Sequence, residues 1–319
     1  MDSLELCAGA GGQALGLERA GFEHRTLIEI DAHACATLRH NRPDWQVQEG
    51  DLAAFDARAF KGIDLVAGGV PCPPFSKAGK QLGADDERDL FPQAIRVVDE
   101  TRPQAVMLEN VRGLMDAVFV DYRHKIARQL QALGYWTDWH LFNAADFGVC
   151  QLRPRVVFVA IRHDVAEHFR WPAPSMVLPP TVGDLLEDLM AERGWKGVDA
   201  WKKRADDIAP TLVGGSKKHG GPDLGPTRSR MAWASLGVDG RGLADQAPDP
   251  DFVGMPRLTV RMCARVQGFP DDWHFVGKKT PTYRQVGNAF PPPVAHAVSQ
   301  RIAMAIEAAA SQRLSLRVA

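Results

Sequence analysis

Short apolar runs alternate with stretches of helical spacing through the first half of the chain. Leu4 to Leu6 predicts a strand, followed by glycines and a helix from about Gln13 to Ala20, with Gly21 as its natural stop. Thr26 to Glu29 predicts a second strand, and a helix from Ala32 to Asn41 follows until Pro43 ends it. A third strand should end at Asp51. Asp64 to Ala67 and Ala105 to Leu108 have the character of buried strands, with a helical segment from about Leu90 to Thr101 between them. Alternation at this spacing predicts an α/β fold with a doubly wound, mostly parallel sheet. Right-handed crossovers would then gather ligand loops at the carboxyl ends of the strands.

The texture changes after Trp171. Pro172, Pro174, Pro179 and Pro180 open a stretch rich in Gly, Pro and charge that runs to about Pro256 with little periodicity. Ordered patterning resumes near Arg257. A last helix from about Val294 to Ala310 carries Val294, Val298, Ile302 and Ile306 on one face. No internal repeat is evident. The chain therefore reads as a catalytic and cofactor-binding domain over 1–170, a smaller inserted domain over 171–275, and a segment over 276–319 that returns to the first.

Composition narrows this picture. The chain has 319 residues and 45% hydrophobic content, enough for one full-size α/β domain and a smaller one. A formal net charge of −1 lacks the strongly basic balance of many nucleic-acid binders, so any such contact must come from local patches. The five cysteines are scattered without a C-x-x-C pair, which argues against a disulfide framework or structural zinc and for a reducing compartment. With no run long and apolar enough for a bilayer, the expectation is a cytoplasmic protein without membrane contact.

Ala8-Gly9-Ala10-Gly11-Gly12 directly follows the first strand, where glycines permit a tight turn and close backbone approach to a ligand. Glu29 ends the second strand at a spacing that suits a carboxylate holding ribose hydroxyls. Gly9-x-Gly11-x-x-Ala14 also passes as a nicotinamide dinucleotide fingerprint, so this segment leaves the cofactor open. Asp51 is placed to accept from the amino group of an adenine.

Val70-Pro71-Cys72-Pro73-Pro74-Phe75-Ser76 follows the strand ending at Ala67. A lone cysteine is most often a buried structural one, which describes Cys35 and Cys263. Flanking prolines and glycines mark Cys72 instead as part of a positioned loop. Glu109 ends the next strand after a fully apolar run, so burial should raise its carboxyl pKa and favour the protonated form. In a parallel sheet Cys72 and Glu109 would share one crevice, a nucleophile beside a proton donor. Cytosine suits this pair. Thiolate addition at carbon 6 makes carbon 5 enamine-like, a donor at nitrogen 3 stabilises the adduct, and no metal is needed. Arg153 and Arg155, two residues apart on an extended segment, point the same way and suit a base carbonyl and a phosphate.

The chain resembles the bacterial DNA cytosine-5 methyltransferases of restriction–modification systems. The resemblance rests on an ordered set: Leu6 to Gly12, Glu29-Ile30-Asp31, Gly50-Asp51, Pro71-Cys72, Glu109-Asn110-Val111, Gln151-x-Arg153-x-Arg155, Arg257-Leu258-Thr259 through Arg265 to Pro270, and Gln285-Val286-Gly287-Asn288. It implies S-adenosyl-L-methionine as cofactor, double-stranded DNA as substrate, a flipped-out cytosine, a monomer, and a cognate restriction endonuclease acting on the same site without a stable complex. It implies Cys72 as nucleophile, Glu109 at nitrogen 3 and the exocyclic amine, Arg155 at the cytosine carbonyl, and Arg153 close to Cys72 and the backbone. Glu29 would bind the cofactor ribose, Ile30 pack on adenine, and Asp51 take the adenine amine. Gly9 and Gly11 would shape the methionine end with Asn288 near it, and Cys7, Gly12 and Pro71 join the cofactor set.

On the DNA side, the resemblance places target recognition in the stretch from Trp171 to about Pro256. Lys217, Lys218, Arg228 and Arg230 form a basic patch there, and Ser76 lies in the catalytic loop. Three departures from the family pattern stand out: Cys7 in place of Phe, Pro73 in place of a common Gln, and Met262 in place of a frequent Glu. The alternatives are a methyltransferase for tRNA cytosine and a non-catalytic DNA-binding relative.

Overall fold

Seven strands form one sheet, with the third strand in chain order at one edge and the sixth at the other. The computed structural model describes residues 1–71, 89–214 and 221–318. The strands are β1 (Asp2–Leu6), β2 (Glu23–Glu29), β3 (Val47–Glu49), β4 (Leu65–Gly68), β5 (Ala105–Val111), β6 (Tyr135–Asn143) and β8 (Pro154–Arg162). A two-stranded parallel pair, β7 (Gln151–Leu152) with β9 (Ala209–Pro210), stands apart. The helices are α1 (Gly12–Arg19), α2 (Ala32–Asn41), α3 (Phe91–Thr101), α4 (Val120–Ala132), α5 (His163–Ala166), α6 (Val182–Ala191), α7 (Val198–Arg204), α8 (Thr227–Ser235), α9 (Val260–Val266), α10 (Lys279–Asn288) and α11 (Pro292–Val318).

Strands β3, β2, β1, β4 and β5 pair in parallel, and β8 runs antiparallel between β5 and β6. The apolar runs predicted as strands bury on both faces, as strands covered by crossover helices must. On one face Leu4, Leu6, Val66, Val106 and Leu108 pack against Phe91, Val97, Val98, Ile126 and Leu130 of α3 and α4. On the other, Met107, Val157 and Val159 meet the stripe Val294, Val298, Ile302 and Ile306 of α11. Each stripe residue is buried, contributing about 1.5–3 kcal/mol.

The single reversed strand decides where the site can form. Because β8 runs against β5, its first residues lie beside the carboxyl end of β5, with Arg155 opposite Val111 and Val157 opposite Glu109. The stretch read as irregular after Trp171 folds into α6, α7 and α8 around Leu186, Met190, Trp201, Leu212, Leu224 and Trp233, all buried. That core continues into Met262 and Val266 of α9 and Leu38 of α2.

Candidate active site

The ends of β1, β2, β3, β4 and β5, with α10 and the segment after it, enclose a cavity of about 310 Å³ at the carboxyl edge of the sheet. Its first wall is the turn after β1. Cys7 takes a left-handed backbone (φ 52°), unusual for a residue with a side chain and costing about 1 kcal/mol. Gly9 (φ 55°) has open space where a Cβ would be, so this stretch of backbone faces the cavity unobstructed. Gly12 packs so closely on the C-terminal segment that a Cβ would sit 2.3 Å from Phe290 O. Burial, reinforced by the nearby carboxylates of Glu29, Asp51 and Glu5, pushes the Cys7 thiol up to about 12, which leaves it an unreactive packing group.

Glu29 is the organiser of the second wall. Gly9 N–H donates to its Oε2 and Asp31 N–H to its Oε1, each at 2.7 Å, so one carboxylate joins the glycine turn to the end of β2. Asp31 caps α2 by accepting from His33 N–H and Ala34 N–H. Ile30, held between these two anchors, is 66% exposed and lines the cavity, an apolar surface without a protein partner to cover it. Asp51 lines it too, capping a short 3₁₀ turn by accepting from Ala53 N–H at 2.9 Å.

Glu109 and Pro71 form the end where chemistry would occur, and both line the same cavity. Glu109 is buried, and a Cβ on Gly69 would stand 3.3 Å from its Oε2. Burial raises the Glu109 carboxyl above its usual range, against the opposing pull of Arg155 and then Arg153. Arg155 Nε lies 2.7 Å from Glu109 Oε1 as a close ion pair, although its N–H is not aimed along a hydrogen bond. Cys72, the next residue after Pro71, and Ser76 lie outside the described residues. Pro71 itself is fixed from both sides: Leu90 N–H donates to Pro71 O at 3.1 Å, and Asn110 Nδ2 donates to Val70 O at 3.0 Å.

A family model for the C-5 cytosine-specific DNA methylases matches residues 1–304 of this chain. The chain belongs to that family. It is 58% identical over 308 residues to the type II methyltransferase M.NgoMIV of Neisseria gonorrhoeae, spanning 96% of this chain and 98% of that protein. It is 54% identical over 312 residues to the type II methyltransferase M.NaeI of Lentzea aerocolonigenes, spanning 96% and 75%. Among solved structures, the Dnmt2 methyltransferase of S. pombe superposes with a TM-score of 0.65 at 18% identity, covering 97% of this chain and 99% of that one, a likeness of fold. The protein is thus a DNA cytosine-5 methyltransferase of the restriction–modification type, which decides the sequence alternatives in favour of DNA.

The methyltransferase motifs converge as their order suggested, with differences at particular residues. Cys7, Gly9, Gly12, Glu29, Ile30, Asp51, Pro71 and Asn288 all line the cavity, and Gly11 does not. Gly11 (φ 87°) instead faces the packing side, where a Cβ would meet Leu38 Cδ2 and Trp273 at 2.8 Å. Its role is to let the turn lie against the C-terminal segment, whose Trp273 Nε1 donates to Ala10 O at 3.1 Å. Arg153 is fully buried rather than open to the cleft, because backbone carbonyls from two other segments surround it. Arg228 and Arg230 lie on α8, not on a loop. Arg228 is exposed and Arg230 half-buried, its Nη2 bonded to Thr227 Oγ1 at 3.3 Å. Lys217 and Lys218 lie outside the described residues.

Sequence reasoning passed over Glu5 and Gln13. Both are buried and line the cavity; the Ala14 amide lies near the Glu5 carboxyl, and no well-aligned hydrogen bond reaches either side chain among the described residues. Burial pushes the Glu5 carboxyl well above its usual range; the Ala14 amide opposes this and Glu29 adds to it. The signal was present: a glutamate set between Leu4 and Leu6 in an otherwise apolar strand is costly without a partner.

Proposed function

We propose that the methyltransferase moves the methyl group of S-adenosylmethionine to carbon 5 of a cytosine flipped out of a specific double-stranded DNA sequence. The observation that carries the reading is the placement of buried Glu109 and exposed Pro71 in the cavity shared with the glycine turn, Glu29 and Asp51.

The residues present fit the cofactor. Glu5 and Gln13 are buried polar groups in the cavity wall without a well-aligned partner among the described residues, and such an acceptor suits a ligand ammonium group. The carboxylate of Glu29 would take the ribose hydroxyls, exposed Ile30 would cover one face of the adenine, and Asp51 would accept from its amine. Asn288 closes the methionine end. When bound, S-adenosylmethionine would supply an electrophilic methyl group.

The chain's own chemistry then follows from Cys72, Glu109 and Arg155. The Cys72 thiolate adds to carbon 6, forming an S–C bond and breaking the ring's 5,6 double bond. Glu109, whose carboxyl burial pushes toward the protonated form against the pull of Arg155, donates to nitrogen 3 as negative charge builds there, and accepts from the exocyclic amine. Arg155, paired to Glu109, steadies that carboxyl and donates to the cytosine carbonyl oxygen. After carbon 5 has taken the methyl group, loss of its proton to a base expels the thiolate and restores the double bond. Residues 171–275 would read the sequence, with Arg228, Arg230, Lys217, Lys218 and Ser76 as DNA contacts, and 276–319 would complete the catalytic domain. A cognate endonuclease would act on the same sequence, and the enzyme would work as a cytoplasmic monomer.

Bisulfite sequencing of DNA from cells expressing the protein tests this. A fixed sequence context should carry 5-methylcytosine with the wild-type chain and none with Cys72→Ser. Methylation retained in that variant overturns the mechanism.

A further inference from the structure

Three residues of the matched motifs, Gln151, Arg153 and Gln267, meet in a buried polar network that no part of the reaction chemistry requires. Gln151, Arg153 and Gln267 are completely buried, and Gln285 is nearly so. Arg153 Nη1 donates to Leu212 O at 2.8 Å and to Gln151 Oε1 at 3.4 Å, and Nη2 donates to Gly287 O at 2.8 Å and Ala289 O at 3.0 Å. Gln151 Oε1 also accepts from Leu212 N–H at 2.9 Å, while its Nε2 donates to Gln267 Oε1 at 2.7 Å. All four terminal N–H groups of the Arg153 guanidinium are therefore engaged inside the protein, and Nε is buried without a partner among the described residues. Little of this guanidinium is left to touch a substrate.

The carbonyls that Arg153 gathers come from two places. Leu212 leads to Gly214, the last described residue before 215–220, which include Lys217 and Lys218. Gly287 and Ala289 flank Asn288, which lines the cavity. At this point the two backbones touch. A Cβ on Gly287 would lie 2.5 Å from Gly214 N and Cα, and one on Gly214 would lie 2.6 Å from Asn288 Oδ1 and 2.8 Å from Arg284 O. The end of α10 is also tied to α2, where Thr37 Oγ1 donates to Gln285 Oε1 at 2.6 Å and Gln285 Nε2 donates to Val276 O at 2.9 Å. The segment entering the recognition region is thus in direct contact with the Asn288 wall.

We propose that Arg153 is a positioning residue, which with the Gly214–Gly287 contact joins the root of the DNA-recognition segment to the Asn288 wall of the cofactor cavity. One joint then sets both the register of DNA recognition and the shape of the cofactor site. This rests on the methyl-transfer reading above. It replaces, for Arg153, a direct role beside the reacting base.

The test compares Arg153→Lys and Gly214→Ala with the wild type. The readouts are S-adenosylhomocysteine affinity by calorimetry, affinity for a duplex bearing the mapped methylation site by gel shift, kcat, and melting temperature. Lysine can serve only part of the carbonyl set, and alanine forces the two backbones apart without removing any charge. In both variants the two Kd values should rise together, each by about tenfold, with kcat falling less than about threefold. A role in stability alone would lower the melting temperature and leave both affinities intact, which overturns the proposal. Direct contact with the cytosine would lower kcat in Arg153→Lys and leave Gly214→Ala unaffected, which also overturns it. If Arg153→Lys does not fold, Gly214→Ala decides by the same criteria. Absence of methyl transfer by the wild type in the same assay would identify failure of the underlying reading instead.

Discussion

Arg155 and Glu109 stand on neighbouring antiparallel strands, and the guanidinium Nε lies 2.7 Å from the carboxylate Oε1 in a site from which water is largely excluded. The pair balances two opposing forces. Burial favours the neutral acid, and Arg155 favours the anion; burial is the larger. Removing the arginine removes the lowering influence, so the Glu109 pKa must rise further.

Arg155→Met should therefore move the alkaline limb of the kcat–pH profile to higher pH while reducing kcat about 10²-fold through loss of the carbonyl contact. A profile that keeps its limb, measured with saturating cofactor and DNA, would remove Glu109 from the titration.

Glu109→Gln keeps a donor but loses the acid. Chemistry should slow by about 10²–10⁴-fold, with S-adenosylhomocysteine affinity changed less than about threefold. Calorimetry beside single-turnover kinetics separates the two, and equal losses in both would contradict the role given to Glu109.

Glu5 provides a stability test with a definite sign. Its folded-state pKa is raised, so the folded state holds the proton more tightly than the unfolded chain. The carboxyl's contribution is fully present below the unfolded pKa of about 4.3 and is lost as the pH climbs toward the folded value. Glu5→Gln should remove that loss. The ligand-free variant should melt higher than wild type at pH 8, with little difference at pH 4. Cofactor affinity should fall by about tenfold, because glutamine lacks the charge to hold an ammonium group. A variant that melts lower at pH 8 would mean that the glutamate is satisfied in the folded protein.

Gly12→Ala addresses packing. The added carbon would sit 2.3 Å from Phe290 O, a backbone atom that cannot rotate away, so the turn or the C-terminal segment must shift. A loss of about 1–3 kcal/mol in denaturant unfolding, with weaker cofactor binding, is expected.

The parallel strands and the cavity wall were legible because each signal was local. Apolar runs such as Ala105 to Leu108 could only be buried strands, and the glycine turn, Glu29 and Asp51 follow their strands directly. Helix α6 was legible in principle. Val182, Leu186, Leu189 and Met190 keep helical spacing, and Thr181 caps the start by accepting from Asp184 N–H, but the surrounding prolines and glycines masked the period. The packing of Gly11 against Trp273 was not legible, because a glycine in a turn serves close packing and ligand approach equally well and Trp273 lies far along the chain. The burial of Arg153 was hidden for the same reason: its partners Leu212, Gly287 and Ala289 come from remote segments that only the folded chain assembles.

The central claim is that Cys72 attacks carbon 6 of cytosine. A duplex carrying 5-fluorocytosine at the mapped site, incubated with the protein and S-adenosylmethionine, blocks the final proton loss and should trap the enzyme on DNA. Tryptic mass spectrometry should then find the cytosine adduct on the peptide containing Cys72. An adduct on another residue, or full turnover of the fluorinated duplex without an adduct, would contradict the account.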